Sequence, residues 1–185
     1  MPWYRTSGKL MTPMTDEDFI QAIENGYFVD RKHKGFIALL YYTAVRRGEA
    51  LRARKERFRI LDDRVIFEVG KRLKHGLHTP PLNIPLSAPY ADEITWSVAN
   101  TKPKHRVWPY CEKTAYNIVR RVFPAYPHYF RLNRITNFFD EGWNIAQVRT
   151  WTGLSLKALE FYVGLVDVKK MGESLGRRRE GEPKR

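Results

Sequence analysis

Five residues scattered along the chain have the chemical types needed to hold a phosphodiester and attack it: Arg46, Lys74, His128, Arg131 and Tyr162. Guanidiniums are planar, permanently protonated groups that bind phosphate through paired hydrogen bonds. A phenol, whose ordinary pKa is about 10, becomes a nucleophile beside positive charge. An imidazole can assist proton movement near neutral pH, and an ammonium can protonate a departing oxygen. Brought together, these groups predict attack on a phosphate ester without a metal.

The composition favours a polyanionic partner. The 185 residues include 33 Lys and Arg against 20 Asp and Glu, a net charge of +13, and 43% are hydrophobic. This is the balance of a globular domain, and nucleic acid is its commonest polyanionic ligand, although a membrane surface or an acidic protein also fits. The single Cys111 cannot form an internal disulfide, and the sequence lacks a stretch of about 18 apolar residues. We expect a cytoplasmic, nucleoid-associated protein.

The first part of the chain predicts helices. Residues 1–14 are expected to be an irregular lead-in segment, followed by a helix that Thr15 caps and Asn25-Gly26 ends. A second helix is expected from about residue 34 to residue 46, and a short one near residues 48–54.

A change of period then predicts a small antiparallel sheet. Residues 58–61 and 65–69 are rich in strand formers and flank the turn Asp62-Asp63. Residues 82–86 alternate and contain Pro85, which suits an edge strand.

The remainder predicts helices again. They are expected over residues 111–123 and 131–141 and from the cap Asn144 to just before Gly153. Ser155 is expected to cap a last short helix, which carries Tyr162. The fold class is therefore mixed α+β, mainly helical, with a three-stranded sheet. We expect one domain over residues 15–168 and a disordered basic tail over residues 169–185.

Four motifs in order resemble the catalytic domain of the tyrosine recombinases, the phage-type integrase family. The family's T-G-L-R-x-x-E resembles T-A-V-R-R-G-E over residues 43–49, and its hairpin G-K-x-x-K resembles residues 70–74. Its H-x-L-R resembles residues 128–131. Its L-G-H, followed about nine or ten residues later by Y, resembles residues 152–162, where Leu154 replaces the usual histidine.

The resemblance implies roles for these residues. Tyr162 is the nucleophile, Arg46, Arg131 and His128 stabilise the phosphate, and Lys74 is the general acid. It implies strand exchange on double-stranded DNA through a 3′-phosphotyrosyl link, by a tetramer on two sites, with no cofactor. Further DNA contacts are expected from residues in three of the motifs and their surroundings, namely Lys71, Arg72, Arg47 and Arg134.

Several assignments have rivals. Arg47 competes with Arg46, Lys71 or Arg72 with Lys74, and Tyr126 or Tyr129 with Tyr162. Trp151 or Asn133 could replace the missing histidine, and Glu49 is expected to support an arginine or cap a helix.

Alternatives also remain for metal binding, function and extent. His75 and His78 have no third ligand at suitable spacing, so we expect a hairpin loop and no metal. A type IB topoisomerase-like enzyme and a non-catalytic DNA-binding relative are the alternative functions. Because the lead-in is too short for the family's helical core-binding domain, we favour the catalytic portion of a longer protein over a minimal recombinase.

Overall fold

The computed structural model describes residues 4–6, 9–11, 14–26, 28, 30–70, 80–122 and 128–163. The fold is mixed α+β and mainly helical, with a small three-stranded antiparallel sheet, as predicted. No helix among these residues is long and apolar enough to cross a membrane.

A short hairpin precedes the helices. Strands β1 (Tyr4–Thr6) and β2 (Lys9–Met11) pair antiparallel, with Tyr4 opposite Met11. The sequence predicts an irregular segment over residues 1–14, and these two paired strands correct that prediction.

Two helices then build one side of the core. Helix α1 (Asp16–Asn25) begins as predicted, since Thr15 and Asp18 form a reciprocal capping box. Helix α2 (Arg31–Thr43) begins three residues earlier than expected because Asp30 caps it by accepting from the Lys32 N–H. It ends at Thr43 because the next residue, Ala44, has a φ of 53°, which lies outside the helical region.

The sheet follows a short helix. Helix α3 (Arg47–Leu51) and a 3₁₀ turn (Lys55–Arg57) lead into strands β3 (Phe58–Ile60), β4 (Arg64–Phe67) and β5 (Leu82–Pro85), ordered β3-β4-β5. The register pairs Phe58 with Phe67 and Val65 with Ile84, which places buried side chains on one face. The predicted edge position of β5 is confirmed.

The second half is helical, and its helices are α4 (Ala91–Ala99), α5 (Glu112–Val122), α6 (His128–Asp140), α7 (Ile145–Thr152) and α8 (residues 156–163). The predicted caps are confirmed. The Asn144 side chain accepts from the Gln147 N–H, and the Ser155 hydroxyl accepts from the Ala158 N–H. Helix α4 was missing from the sequence prediction.

Helix α2 is the centre of the core. Every residue from Phe36 to Tyr41 is fully buried. A side chain could not replace the hydrogen of Gly35, because a Cβ there would lie 2.6 Å from the Glu93 carbonyl oxygen of α4. This close approach fixes the first half of α2 against α4, and the first candidate arginine lies three residues beyond the end of α2.

Candidate functional site

Arg46 lies in the short link between α2 and α3. Its backbone N–H donates to a Glu49 carboxylate oxygen at 2.7 Å, and its guanidinium donates to the other oxygen at 3.2 Å. The expectation that Glu49 supports an arginine or caps a helix is therefore confirmed on both counts. The Arg46 side chain is 51% exposed, so its charge faces solvent from a position fixed by its own helix cap.

Arg131 is held in the opposite way, inside the protein. It is 2% exposed, and its guanidinium donates to the carbonyl oxygens of Ala44 and, at 3.0 Å, Thr152. Ala44 belongs to the same link as Arg46, and Thr152 ends α7, just ahead of α8. One guanidinium on α6 therefore joins the segments on which Arg46 and Tyr162 depend for their positions.

Tyr162 lies on α8 and is 7% exposed. Burial raises the pKa of its phenol above the ordinary value, and the positive charges of Arg131 and Arg46 act in the opposite direction. Both guanidiniums are thus close enough to affect the ionisation of this hydroxyl. The structure brings together three of the five predicted site residues: Arg46, Arg131 and Tyr162.

The other two predicted catalytic side chains cannot be placed. Lys74, together with the predicted DNA-binding residues Lys71 and Arg72, lies outside the described residues. His128 is the first residue of α6, but its side chain is also outside the described part of the chain. Their assignments stay predictions.

The two remaining predicted DNA contacts have carboxylate partners. Arg47 donates to Glu112 at 2.8 Å and is partly exposed. Arg134 donates to Glu141 at 2.6 Å, lies over the Phe138 ring and is largely buried. Their charges are locally compensated by these carboxylates, and their contacts with DNA stay predictions.

Leu154 follows the left-handed Gly153 and is partly buried. Asn133, one of its suggested substitutes, uses its side-chain oxygen and nitrogen on the backbone of Met14, at 2.8 and 3.1 Å. Those hydrogen bonds join α6 to the start of α1, so Asn133 has a structural role that does not favour a phosphate contact.

The carbonyl groups of Ala44 and Thr152, which orient Arg131, were not among the predicted site residues. Backbone acceptors have no residue type to reveal them, so no sequence signal identifies them. The basic run R-A-R-K-E-R over residues 52–57 also had no predicted role. Within the residues that the structure describes, no group of three or more His, Cys, Asp or Glu side chains is placed to hold a metal ion.

No protein-family model matches the chain, and no curated protein sequence matches it. Several solved structures do match it in fold. The fold is similar to XerA recombinase, with a TM-score of 0.66, 14% identity, and coverage of 96% of this chain and 68% of that one.

XerH site-specific recombinase is similar too. Its pre-cleavage complex with difH substrate has a TM-score of 0.60 and 15% identity, over 86% of this chain and 53% of that one. Its post-cleavage complex with palindromic difH has a TM-score of 0.63 at 15% identity, over 94% and 56%. The chain thus spans little more than half the length of XerH. At these identities the likeness shows the fold alone, which this chain shares with XerA and XerH.

Proposed function

We propose that this chain is the catalytic portion of a site-specific DNA recombinase or integrase that cleaves and rejoins duplex DNA through a tyrosyl phosphodiester. The observation that supports it most is the position of Tyr162, whose hydroxyl is subject to the charges of both Arg46 and Arg131. Two guanidiniums beside one phenol suit a reaction in which negative charge accumulates on phosphate oxygens. The fold shared with XerA and XerH agrees with that chemistry.

The proposed reaction needs neither metal nor ATP. The Tyr162 oxygen bonds to phosphorus as the bond to the 5′ oxygen breaks, which leaves a 3′-phosphotyrosyl link. The phenolic proton leaves with the help of His128, and Lys74 gives a proton to the departing 5′ oxygen. A 5′ hydroxyl from a second strand then reverses the step, so the energy of the phosphodiester is retained. Four protomers on two DNA sites would exchange strands in this way.

Ionisation of Tyr162 is the costly step of this scheme. In the structure the raised pKa keeps the buried phenol protonated near neutral pH. The Tyr162 hydroxyl must lose its proton before its oxygen can attack a phosphate bound beside the arginines. We therefore expect adduct formation to accelerate as pH rises.

The direct test is capture of the covalent intermediate. The chain is incubated with a randomised pool of nicked duplexes, in which cleavage releases a short fragment that carries the free 5′ hydroxyl. Loss of this fragment prevents rejoining. Adducts that survive denaturation are then sequenced. We expect an adduct with wild type and with Tyr116→Phe, a control that removes a phenol from α5, and none with Tyr162→Phe. Mass spectrometry of the adducted peptide should find the phosphate on Tyr162.

The outcomes separate the alternatives. Equal, background adduct in wild type and Tyr162→Phe, with DNA binding retained, would favour the non-catalytic relative. Relaxation of supercoiled plasmid by a monomer, without joining of two DNA molecules, would favour the topoisomerase-like alternative.

A complementation test addresses the source of the nucleophile. The charges of Arg46 and Arg131 act on a phenol of their own chain, so we propose cleavage in cis. A mixture of Tyr162→Phe with an Arg46→Ala variant should then form no adduct. Restored adduct in the mixture would show that one subunit supplies tyrosine to another's arginines.

The role of Lys74 has its own test. Lys74→Ala should slow cleavage of ordinary DNA, and a 5′-bridging phosphorothioate should restore the rate, because a thiolate departs without a proton. The same substrate should not rescue Arg46→Ala, whose proposed role is on the phosphate. Failure of rescue in Lys74→Ala would assign the general acid elsewhere.

A further inference from the structure

A second basic site lies beside the candidate active site. It is a cleft of about 360 Å³ between the end of α3, the 3₁₀ turn and the end of β4. Three arginines line it, Arg52, Arg54 and Arg57, which we call the cleft arginines. The buried Phe67 and the residue Gly70 also line it, and a Cβ at Gly70 would meet no described atom within 4 Å.

The balance of charge in the cleft is positive. The lining includes Glu49 and Glu68, but each carboxylate already has an arginine partner outside the cleft set. Glu49 accepts from Arg46, and Glu68 pairs with Arg59 at 3.2 Å. Among the described residues, no carboxylate lies within ion-pair distance of a cleft arginine. Glu56 acts electrostatically on Arg54. The charges of Arg52 and Arg57 are therefore the ones most available to an anionic ligand.

The walls of the cleft are held in place by the core. Phe67 stacks on Phe58 with ring centroids 4.5 Å apart. Arg54 forms a backbone bridge with Arg106, and its guanidinium donates to the Lys104 carbonyl oxygen at 3.2 Å. A ligand would thus meet a preformed surface, which lowers the entropy lost on binding.

The cleft is continuous with the candidate active site. A Cβ at Gly48 would lie 3.2 Å from the Arg52 guanidinium, so this group covers the first turn of α3, which Arg46 caps. The five residues of α3 span about 7.5 Å at 1.5 Å per residue. The cleft therefore lies within the length of this one short helix from the segment that contains Arg46.

We propose that this cleft binds backbone phosphates of duplex DNA next to the phosphate that Arg46 would hold. The inference rests on the proposed function, since it takes duplex DNA as the ligand. Guanidiniums match phosphate oxygens through paired hydrogen bonds, and a continuous strand presents further phosphates on either side of the one that is attacked. Such contacts position the duplex and do not select its sequence.

The test uses the full chain and a labelled duplex of arbitrary sequence. The variant is Arg52→Gln with Arg57→Gln, which leaves Arg54 in place because its guanidinium also binds the Lys104 carbonyl. The control, Arg64→Gln with Arg120→Gln, removes the same charge outside the cleft. Arg64 is paired with Asp63, and Arg120 lies over the Tyr116 ring.

Fluorescence anisotropy over a salt series gives the readout. Loss of two phosphate contacts should reduce the slope of log affinity against log salt by about 1.8, and affinity at about 0.1 M salt should fall ten-fold or more. The control should lose much less. All four substituted side chains are exposed, so thermal melts should agree with wild type.

Three results would overturn the proposal: equal losses in the two double variants, an unchanged slope in the cleft variant, or equally tight, equally arginine-dependent binding of a polyglutamate peptide. The first would indicate bulk charge, the second that the cleft arginines contact no phosphate, and the third an acidic protein partner. The proposed function fails separately. Absence of adduct in wild type, with the slope difference intact, would leave the cleft as a DNA-binding site only.

Discussion

The two arginines of the candidate site are held by different kinds of structure. Arg131 is buried on α6 and bound to carbonyl groups of two other segments. Arg46 is half exposed and bound to a carboxylate three residues along the chain. The contacts of Arg131 exist only in the folded domain, whereas those of Arg46 are made within one turn of helix. Two arginines proposed for the same chemical role should therefore differ in their effect on stability.

The largest expected difference follows from replacing each arginine by lysine. Arg131→Lys should lower the free energy of unfolding by about 3 kcal/mol, because two buried carbonyls lose their donors. Arg46→Lys should change it by less than about 1 kcal/mol, as for an exposed ion pair. Both should slow adduct formation by about 10²-fold or more. Urea unfolding and adduct kinetics check this, and equal stability losses would contradict the comparison.

A smaller effect is expected when the support of Arg46 is weakened. Glu49→Gln keeps an acceptor for the backbone N–H of Arg46 but removes the negative charge beside its guanidinium. We expect adduct formation to slow about ten-fold, since charged hydrogen bonds are roughly twice as strong as neutral ones. Asp63→Asn, which removes the carboxylate partner of the exposed Arg64, is the matched control and should react as wild type does.

The charges around Tyr162 can be measured through its ionisation. Removal of either guanidinium should raise the pKa of Tyr162 further, because burial would then be less opposed. Arg46→Gln is the better variant since it spares the core. Titration of ¹³C-labelled tyrosine by NMR, with Tyr162→Phe to assign the signal, gives the direction. If Arg46→Gln left the pKa of Tyr162 unchanged or lowered it, the charge of Arg46 would not be what favours ionisation of the phenol.

The smallest effect concerns stability at alkaline pH. Burial raises the pKa of Tyr162, and burial together with a hydrogen bond to Asp16 raises that of Tyr41. Up to the ordinary tyrosine pKa of about 10 both folded and unfolded states are protonated, so stability is retained. Above it the unfolded chain ionises first, and stability falls with rising pH.

Urea unfolding between pH 9 and 11 measures that slope. Tyr162→Phe should make it shallower, and so should Tyr41→Phe. Tyr116→Phe is the control, and an equal change in this variant would mean that general alkaline denaturation, and not the two buried phenols, sets the slope.

The elements that sequence predicted well are those with a local signal. Thr15, Asn144 and Ser155 cap the helices they were expected to cap, because a hydroxyl or amide oxygen accepts from the backbone N–H three residues away. The three strands of the sheet also follow local alternation and strand propensity.

The elements that sequence missed depend on distant contacts. Helix α4 begins after Tyr90, which has a φ of 63° and makes no side-chain cap. Its position is set by packing on α2 at Gly35. The hairpin of β1 and β2, expected to be irregular, is a different case. It pairs near neighbours, and its three-residue strands are too short to show an alternating pattern.

In the candidate site, too, some features depend on neighbouring residues and others on tertiary contacts. The chain itself determined which residue types are present, the local caps and the Arg46–Glu49 pair, because these depend on neighbours within about one helical turn. Only the tertiary structure decided that Arg131 lies between Ala44 and Thr152, and that Tyr162 comes within the influence of both arginines. Residues so far apart in sequence meet because burial of α2 against α4 and α6 fixes the segments around it, and one-dimensional spacing contains no record of that packing.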